Sequence, residues 1–343
     1  MAQGERLKPE INADGSFVRQ KNRFTTPFGT NEKNRFWNNT GGGEDPGGFL
    51  PVEAGRYRLV WARVCPWANR QTIVLSLLGL DRVLDGKPII SIGTVDPIRP
   101  DVGSWAFTLD PGGVDPVLGI HLLDEAYQKA ESAASMAAGY NKNAKKAPLR
   151  CTVPAVIDIT TGMVVNNDYH RLSNYWETVW KPFHKPDAPD LYPETLRVQI
   201  DALNEIIFQD VNNGVYRAGF ARSQTAYEEA YTGVFKRLDE LEQRLSKSRF
   251  LFGEKITDSD VRLYVTLARF DCAYYDAFRC NKRRIRDYPA LWRYARELYA
   301  IPAFGENTDF DHIKRHYHLC CDPGNVYKIT PKGPDEEIWR KAV

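Results

Sequence analysis

The stretch LVWARVCPWANRQTIVLSLLGL, residues 59–80, decides how this chain is read. Its start continues the run RYRLVWA from Arg56, whose β-branched and aromatic content predicts a strand. Pro66 suits the first turn of a helix, where its missing N–H costs nothing. Ile73, Leu77 and Leu78 keep helical spacing, and Gly79 ends the helix. Cys65 therefore falls between a strand and a helix, beside the unpaired N–H groups of the helix start, which favour a thiolate over a thiol. A two-cysteine redox site would read C-x-x-C. Here the order is Cys65-Pro66-Trp67-Ala68, so Cys65 works without a resolving partner in the motif. Free cysteine is also a small buried hydrophobe in many cores, and the stretch by itself leaves both readings open.

Further along, PIISIGTV (88–95) reads as a strand, and a helix is expected around Leu118–Ala138. RCTVPAVIDI and GMVVNN read as two strands joined by a tight turn at Thr161-Gly162, and DYHRLSNYWETVW as a helix. Pro182, Pro186, Pro189 and Pro193 then mark residues 181–193 as a stiff linker. Beyond it Leu196, Ile200, Leu203, Ile207 and Val211 form one helical stripe, and Tyr227, Tyr231, Val234, Leu238, Leu241 and Leu245 another. Thr257 and Asp260 stand at capping-box spacing before an apolar run. The expected organisation is an irregular Gly-rich extension (1–55) that lies on the surface, an α/β domain (56–180) with an inserted loop at about 100–148, the linker, an all-α domain (194–325) and a tail (326–343).

Composition bounds the function. The 343 residues are 43% hydrophobic, enough for real cores, with 46 basic and 44 acidic side chains and a net charge of +2. That balance gives no case for nucleic acid or a membrane surface. The basic cluster Asn281–Arg286 reads as a solvated or carboxylate-paired face. No run of roughly 18 apolar residues would span a bilayer, and the first residues lack the apolar stretch of a signal peptide. Six cysteines without regular spacing point to a reduced, cytoplasmic setting. Cys320-Cys321 lies near His312, His316 and His318, but the spacing matches no common zinc pattern and no metal is expected. Cys151, Cys272 and Cys280 read as packing residues.

Thr152-Val153-Pro154 shifts the balance at Cys65. A proline before a strand, about ninety residues after a helix-start cysteine, is where thioredoxin-like folds place a cis-proline, with the backbone of the preceding residue open to an extended peptide ligand. A βαβ–ββα unit of this kind followed by an all-helical domain is the glutathione-transferase layout.

With that layout the chain resembles the Xi class of glutathione transferases, the glutathionyl-hydroquinone reductases. The resemblance runs over nearly the whole length and is carried by the ordered set DGSFVRQ, CPWANR, GSWAF, RCTVP, DLYPETLR, VNNGVYRAGFA, YVTLARFD, FRCNKRRIRDYPAL and FDHIKRHY. It implies that Cys65 is the catalytic thiol and that glutathione is a co-substrate. It implies glutathione contacts from Trp105, Arg150, Val153, Pro154, Asp168 and Tyr169, catalytic roles for Tyr216 and Tyr317, and a substrate pocket that includes Tyr274 and Trp67. It also implies a homodimer and a small hydroquinone-type substrate. In the implied reaction Cys65 attacks the glutathione sulfur and a second glutathione resolves the mixed disulfide, which is why no second cysteine is needed. Two departures stand out. Where the family commonly has SNES, residues 166–169 read NNDY: Asp168 keeps an acid, and Tyr169 replaces the serine. The segment between Gln128 and Lys146 is also longer than usual. Two other readings use the same residues: a glutaredoxin-like thioltransferase or dehydroascorbate reductase, and a non-enzymatic scaffold in which Tyr169 has abolished glutathione binding.

Overall fold

The computed structural model of the chain describes residues 10–29, 48–99, 103–137 and 150–340. They form two compact units, one built from Lys21–Gln71 and Leu75–Ala188, the other from Glu10–Gln20, Thr72–Val74 and the chain from Pro189 onward.

The first unit carries β1 (Tyr57–Trp61), α1 (Pro66–Leu78), β2 (Val83–Leu84), β3 (Lys87–Pro88), β4 (Ile90–Thr94), α2 (Leu123–Ala137), β5 (Ala155–Asp158), β6 (Met163–Asn166) and α3 (Leu172–Glu177). β2 and β3 make a small hairpin of their own, and the main sheet runs β4–β1–β5–β6. β1 and β4 are parallel, a pairing that needs a crossover, and α1 lies in that crossover. β5 pairs antiparallel with both β1 and β6. Gly79 adopts a left-handed conformation and closes α1, as its position in the sequence requires.

Two apolar clusters fill this unit. Val60, Ala155, Ile157 and Val164 pack with Trp105, Phe107 and the buried α2 residues Leu123, Ala126, Tyr127 and Ala130. The second is aromatic: the Phe28 ring lies 5.2 Å from those of Tyr57 and Trp176 and 5.8 Å from that of Trp180. Phe28 comes from the amino-terminal arm and is fully buried. Burying one phenylalanine contributes about 1.5–3 kcal/mol, so the described part of the arm takes part in the core at this point. Arg58 and Asp115 form a buried ion pair, Nε to Oδ2 at 2.8 Å. A Cβ on Gly93 would lie 2.8 Å from both of those atoms, so glycine there leaves room for the pair.

The sequence places the start of α2 five residues early. Gly119 is left-handed (φ 65°), and the Asp115 carboxylate takes the N–H groups of Val117 and Leu118, so a turn replaces the expected first helical turn. Helix starts only where Glu125 Oε1 accepts from the N–H groups of His121 and Leu122. The lengthened segment between Gln128 and Lys146 runs into residues 138–149, which lie outside the described ones.

The second unit contains α4 (Arg197–Ile207), α5 (Gly214–Phe220), α6 (Gln224–Leu245), α7 (Asp258–Arg269), α8 (Pro289–Tyr299), α9 (Pro302–Gly305), α10 (Phe310–His316) and α11 (Glu337–Arg340). The α6 stripe is buried at Val234, Leu238, Leu241 and Leu245. Thr257 donates from its N–H and its hydroxyl to Asp260 Oδ2, at 2.7 and 2.8 Å, so the capping box forms. Among the described residues three π-helical turns follow helices: Phe208–Asn212 leads from α4 towards α5, while Phe270–Tyr274 and Tyr317–Cys321 end α7 and α10. Periodicity at 3.6 residues does not reveal them, because each is a single widened turn at the end of a helical pattern.

Candidate active site

Cys65 occupies the N-cap of α1 with extended backbone (φ −80°, ψ 117°), followed by Pro66 at the first helical position. Its thiol donates to the carbonyl of Val153 at 3.4 Å, and the Val153–Pro154 peptide is cis. The two motifs that the sequence placed ninety residues apart are therefore in contact. A buried network sets the approach to that loop. The Tyr127 hydroxyl donates to the Thr152 carbonyl at 2.7 Å, and Asn167 Nδ2 donates to the Tyr127 oxygen at 3.1 Å and to Thr152 Oγ1 at 3.2 Å. Neither Tyr127 nor Asn167 is singled out by sequence pattern, because each acts through a partner distant in the chain.

The residues after β6 gather on the same unit. Asp168 is buried, and its Oδ1 accepts from the His170 N–H at 3.2 Å and from Asn22 Nδ2 at 3.5 Å. Burial raises its pKa above the usual carboxylate value, against the opposing pull of Arg171 and Arg70. The Tyr169 ring lies between Trp67, at 4.9 Å, and His170, at 4.3 Å. Its carbonyl accepts from the buried guanidinium of Arg70. Tyr169 thus packs against a residue of the Cys-Pro-Trp motif, an arrangement that a serine could not make. Trp105 is buried in the cluster that includes Val153 and against which Cys65 packs, and the Arg99 guanidinium stands 5.0 Å from its ring centre. Arg150 is half-buried at the start of the segment leading to the cis-proline.

In the helical unit three hydroxyls converge. Tyr216 and Tyr317 oxygens are 2.5 Å apart, Tyr274 and Tyr317 3.1 Å, and Tyr216 and Tyr274 3.5 Å. Tyr216 lies on α5 just after the first π turn, Tyr274 ends the second, and Tyr317 begins the third. Phe278 supports all three rings, at 5.3 Å from Tyr216 and Tyr274 and 5.5 Å from Tyr317. Burial pushes Tyr274 and Tyr317 well above the ordinary phenol range, so both remain protonated donors at neutral pH.

The six cysteines are all free thiols. Cys151, Cys272 and Cys280 are pushed up to about 12 by burial, which keeps them as inert packing thiols. Among the described residues no group of three or more His, Cys, Asp or Glu side chains is arranged to hold a metal ion, and no helix is long and apolar enough to cross a membrane.

A four-stranded mixed sheet with a helix-start cysteine opposite a cis-proline, together with an all-helical unit, defines the glutathione-transferase fold. Residues 224–297 match the family model described as the glutathione S-transferase C-terminal domain. The chain is 48% identical to a glutathione transferase from Gordonia bronchialis over 84% of each chain (TM-score 0.75). It is 35% identical to the Xi glutathione transferase of Phanerochaete chrysosporium over 95% of each (TM-score 0.79). It is also 36% identical to the Escherichia coli glutathionyl-hydroquinone reductase YqjG, covering 87% of this chain and 86% of that one. YqjG has been solved with glutathione bound. This chain belongs to the glutathione transferase family, and within it to the Xi class that includes the glutathionyl-hydroquinone reductases.

Proposed function

We propose that this protein is a glutathione-dependent reductase that removes glutathione from glutathionyl-hydroquinones. The observation that supports this reading most directly is the setting of Cys65: a helix-capping thiol in contact with the cis-proline loop, with alanine where a resolving cysteine would stand. Such a thiol forms a mixed disulfide that only an external thiol can clear.

The substrate ring first tautomerises: the carbon bearing sulfur gains a proton and the neighbouring ring hydroxyl loses one, giving the keto form. Cys65 thiolate then attacks the glutathione sulfur. The carbon–sulfur bond breaks, its electron pair restores the aromatic ring, and the ring oxygen is reprotonated. Cys65 is left disulfide-linked to glutathione. A second glutathione attacks that sulfur, releasing glutathione disulfide and the Cys65 thiolate. Across the whole cycle the ring carbon exchanges sulfur for hydrogen and gains two electrons, and the thioether sulfur and one free glutathione thiol become one disulfide. In this scheme Tyr216, Tyr274 and Tyr317 donate to the ring oxygen and move the proton at carbon, tasks that neutral phenols perform without a permanent charge. Trp105, Arg150, Val153, Pro154, Asp168 and Tyr169 hold the glutathionyl part, with Asp168 pairing its ammonium group, and Trp67 lines the substrate side. We assign the enzyme to the cytoplasm and to a homodimer on the strength of the family likeness.

The test is turnover of a synthetic glutathionyl-hydroquinone with glutathione, following hydroquinone and glutathione disulfide by chromatography and the mixed disulfide on Cys65 by mass spectrometry. Equal amounts of both products and a glutathione adduct confined to Cys65 are expected. Absence of turnover, or an adduct on another cysteine in active enzyme, would remove the reading.

A further inference from the structure

Resting on the part assigned above to the tyrosines, we propose that Arg19 is a positioning residue that acts through Tyr216: its guanidinium holds negative charge on the Tyr216 oxygen when that hydroxyl gives up its proton during turnover. Residues 10–20 belong to the helical unit. Ile11 and Phe17 pair across a short hairpin, and the Val18 N–H donates to the Glu10 carbonyl at 2.7 Å. Two bonds fasten this hairpin to the junction of α5 and α6. The Arg222 N–H donates to the Gly15 carbonyl at 2.8 Å, and Ser223 Oγ donates to the Asp14 carbonyl at 2.7 Å. Gly15 has φ 86°, and a Cβ there would lie 2.8 Å from the Ser223 nitrogen, so the approach requires glycine. Phe17 is buried, its ring 5.4 Å from that of Phe220. The hairpin so held brings the Arg19 guanidinium to 4.8 Å from the centre of the Tyr216 ring, and Arg19 Nε donates to Asn213 Oδ1 at 2.9 Å, just before α5 begins. The motif DGSFVRQ, which no role had absorbed, thus delivers a cation to one member of the tyrosine cluster.

The three hydroxyls reach one another, and a phenolate on Tyr216 would accept from two phenols, at 2.5 and 3.5 Å. What distinguishes Tyr216 is the Arg19 guanidinium at its ring and its lesser burial. Tyr274 and Tyr317 are the more deeply buried pair, and burial keeps them protonated. Among the described residues the charged and titratable groups around the cluster include Arg19, the buried Arg269 of α7, whose charge favours ionisation of Tyr274 and Tyr317 but is outweighed by their burial, His316, whose ring lies 5.5 Å from that of Tyr317, and Arg217 on the same helix as Tyr216, which is paired with Glu229. The guanidinium carbon lies 4.8 Å from the ring centre, and a unit charge at about that range in an effective dielectric of about 20 shifts a phenol downward by on the order of two pH units.

The experiment places 3-fluorotyrosine at position 216 and follows its fluorine resonance against pH in the full-length protein, in the presence of Arg19, Arg19→Gln and Arg19→Lys. Arg19→Gln keeps a donor for Asn213 Oδ1 and deletes the charge. The titration should move upward by on the order of one pH unit or more in Arg19→Gln and return at least partway in Arg19→Lys. The pH profile of kcat should move with it, while KM for a glutathionyl-hydroquinone changes less. Should Arg19→Gln fold poorly, Arg19→Met is the second neutral variant, with the same expectation. An unmoved fluorine titration in a neutral variant of wild-type melting temperature overturns the coupling. Because that measurement needs no substrate, a wild-type protein without reductase turnover but with the shifted titration overturns the proposed reaction, and with it the part of Arg19 in turnover, while the coupling itself stands.

Discussion

Replacing Tyr169 by serine tests how this chain holds glutathione. Relative to the family pattern, the site lacks a serine hydroxyl, and a hydrogen bond to a charged carboxylate contributes about 1.5–3 kcal/mol, roughly a ten- to hundredfold effect on affinity. The backbone of Tyr169 is committed elsewhere: its N–H donates to the Asn167 carbonyl at 2.9 Å, and its carbonyl takes Arg70. The ring is committed too, packed between Trp67 and His170. Tyr169→Ser should therefore tighten glutathione binding ten- to hundredfold and at the same time lower stability, since truncating a buried aromatic costs about 3–5 kcal/mol. The binding assay is calorimetry with glutathione in a Cys65→Ser background, which prevents disulfide formation, paired with thermal melts of both proteins. Opposite signs in affinity and stability are the signature of the argument. If the serine variant binds no better, and a glutathione-bound structure shows the Tyr169 hydroxyl donating to the γ-glutamyl carboxylate, the reasoning is refuted, and tyrosine is an equivalent solution to the same recognition problem.

The remaining predictions concern thiols, carboxylates and assembly. Cys65→Ser should lose reductase activity by orders of magnitude, because a hydroxyl does not ionise there; Cys320→Ser and Cys321→Ser should stay near the wild-type rate, and wild-type rates in Cys65→Ser would sink the mechanism. The pKa of Asp168 is raised by burial, so its stabilising contribution is present at low pH and lost as pH rises through the raised value. Asp168→Asn should therefore melt no lower than wild type at pH 7 while binding glutathione more weakly, and the two melting curves should converge below about pH 4; a large loss of stability at pH 7 would contradict this. Asp271, which accepts from the N–H groups of Ile285 and Arg286, is raised to about 6 by burial. Between about pH 4 and 6 wild-type stability should fall with rising pH by on the order of 3 kcal/mol from this group, and Asp271→Asn should flatten that slope in denaturant titrations. Sedimentation at micromolar concentration should give twice the chain mass of 39.1 kDa, and a single-chain mass would end the dimer assignment.

Local chemistry was legible without a structure wherever one residue's own conformational demand decides the outcome. Pro66 must begin a helix and Gly79 must end one, so the position of Cys65 between strand and helix was determined by neighbours in the chain. The α6 stripe and the capping box at Thr257 follow from periodicity and spacing in the same way. The tyrosines were named only through the family likeness, since a buried tyrosine in a helical pattern looks the same whether it packs or reacts. Other features depend on atoms brought together from far along the chain. The start of α2 was misplaced because Asp115 and Gly119 together make a turn that periodicity does not register. Phe28 gives no sign in its surroundings of entering an aromatic core, because the rings that enclose it come from Tyr57, Tyr175, Trp176 and Trp180. The contact of Cys65 with Val153, the hold of Arg70 on Tyr169 and the placement of Arg19 over Tyr216 span 88, 99 and 197 positions. Propensity acts over a few residues, whereas burial and hydrogen-bond satisfaction are settled only when the whole chain has closed around them; the position of the Cys65 sulfur belongs to the first, and the partners that surround it and the tyrosines belong to the second.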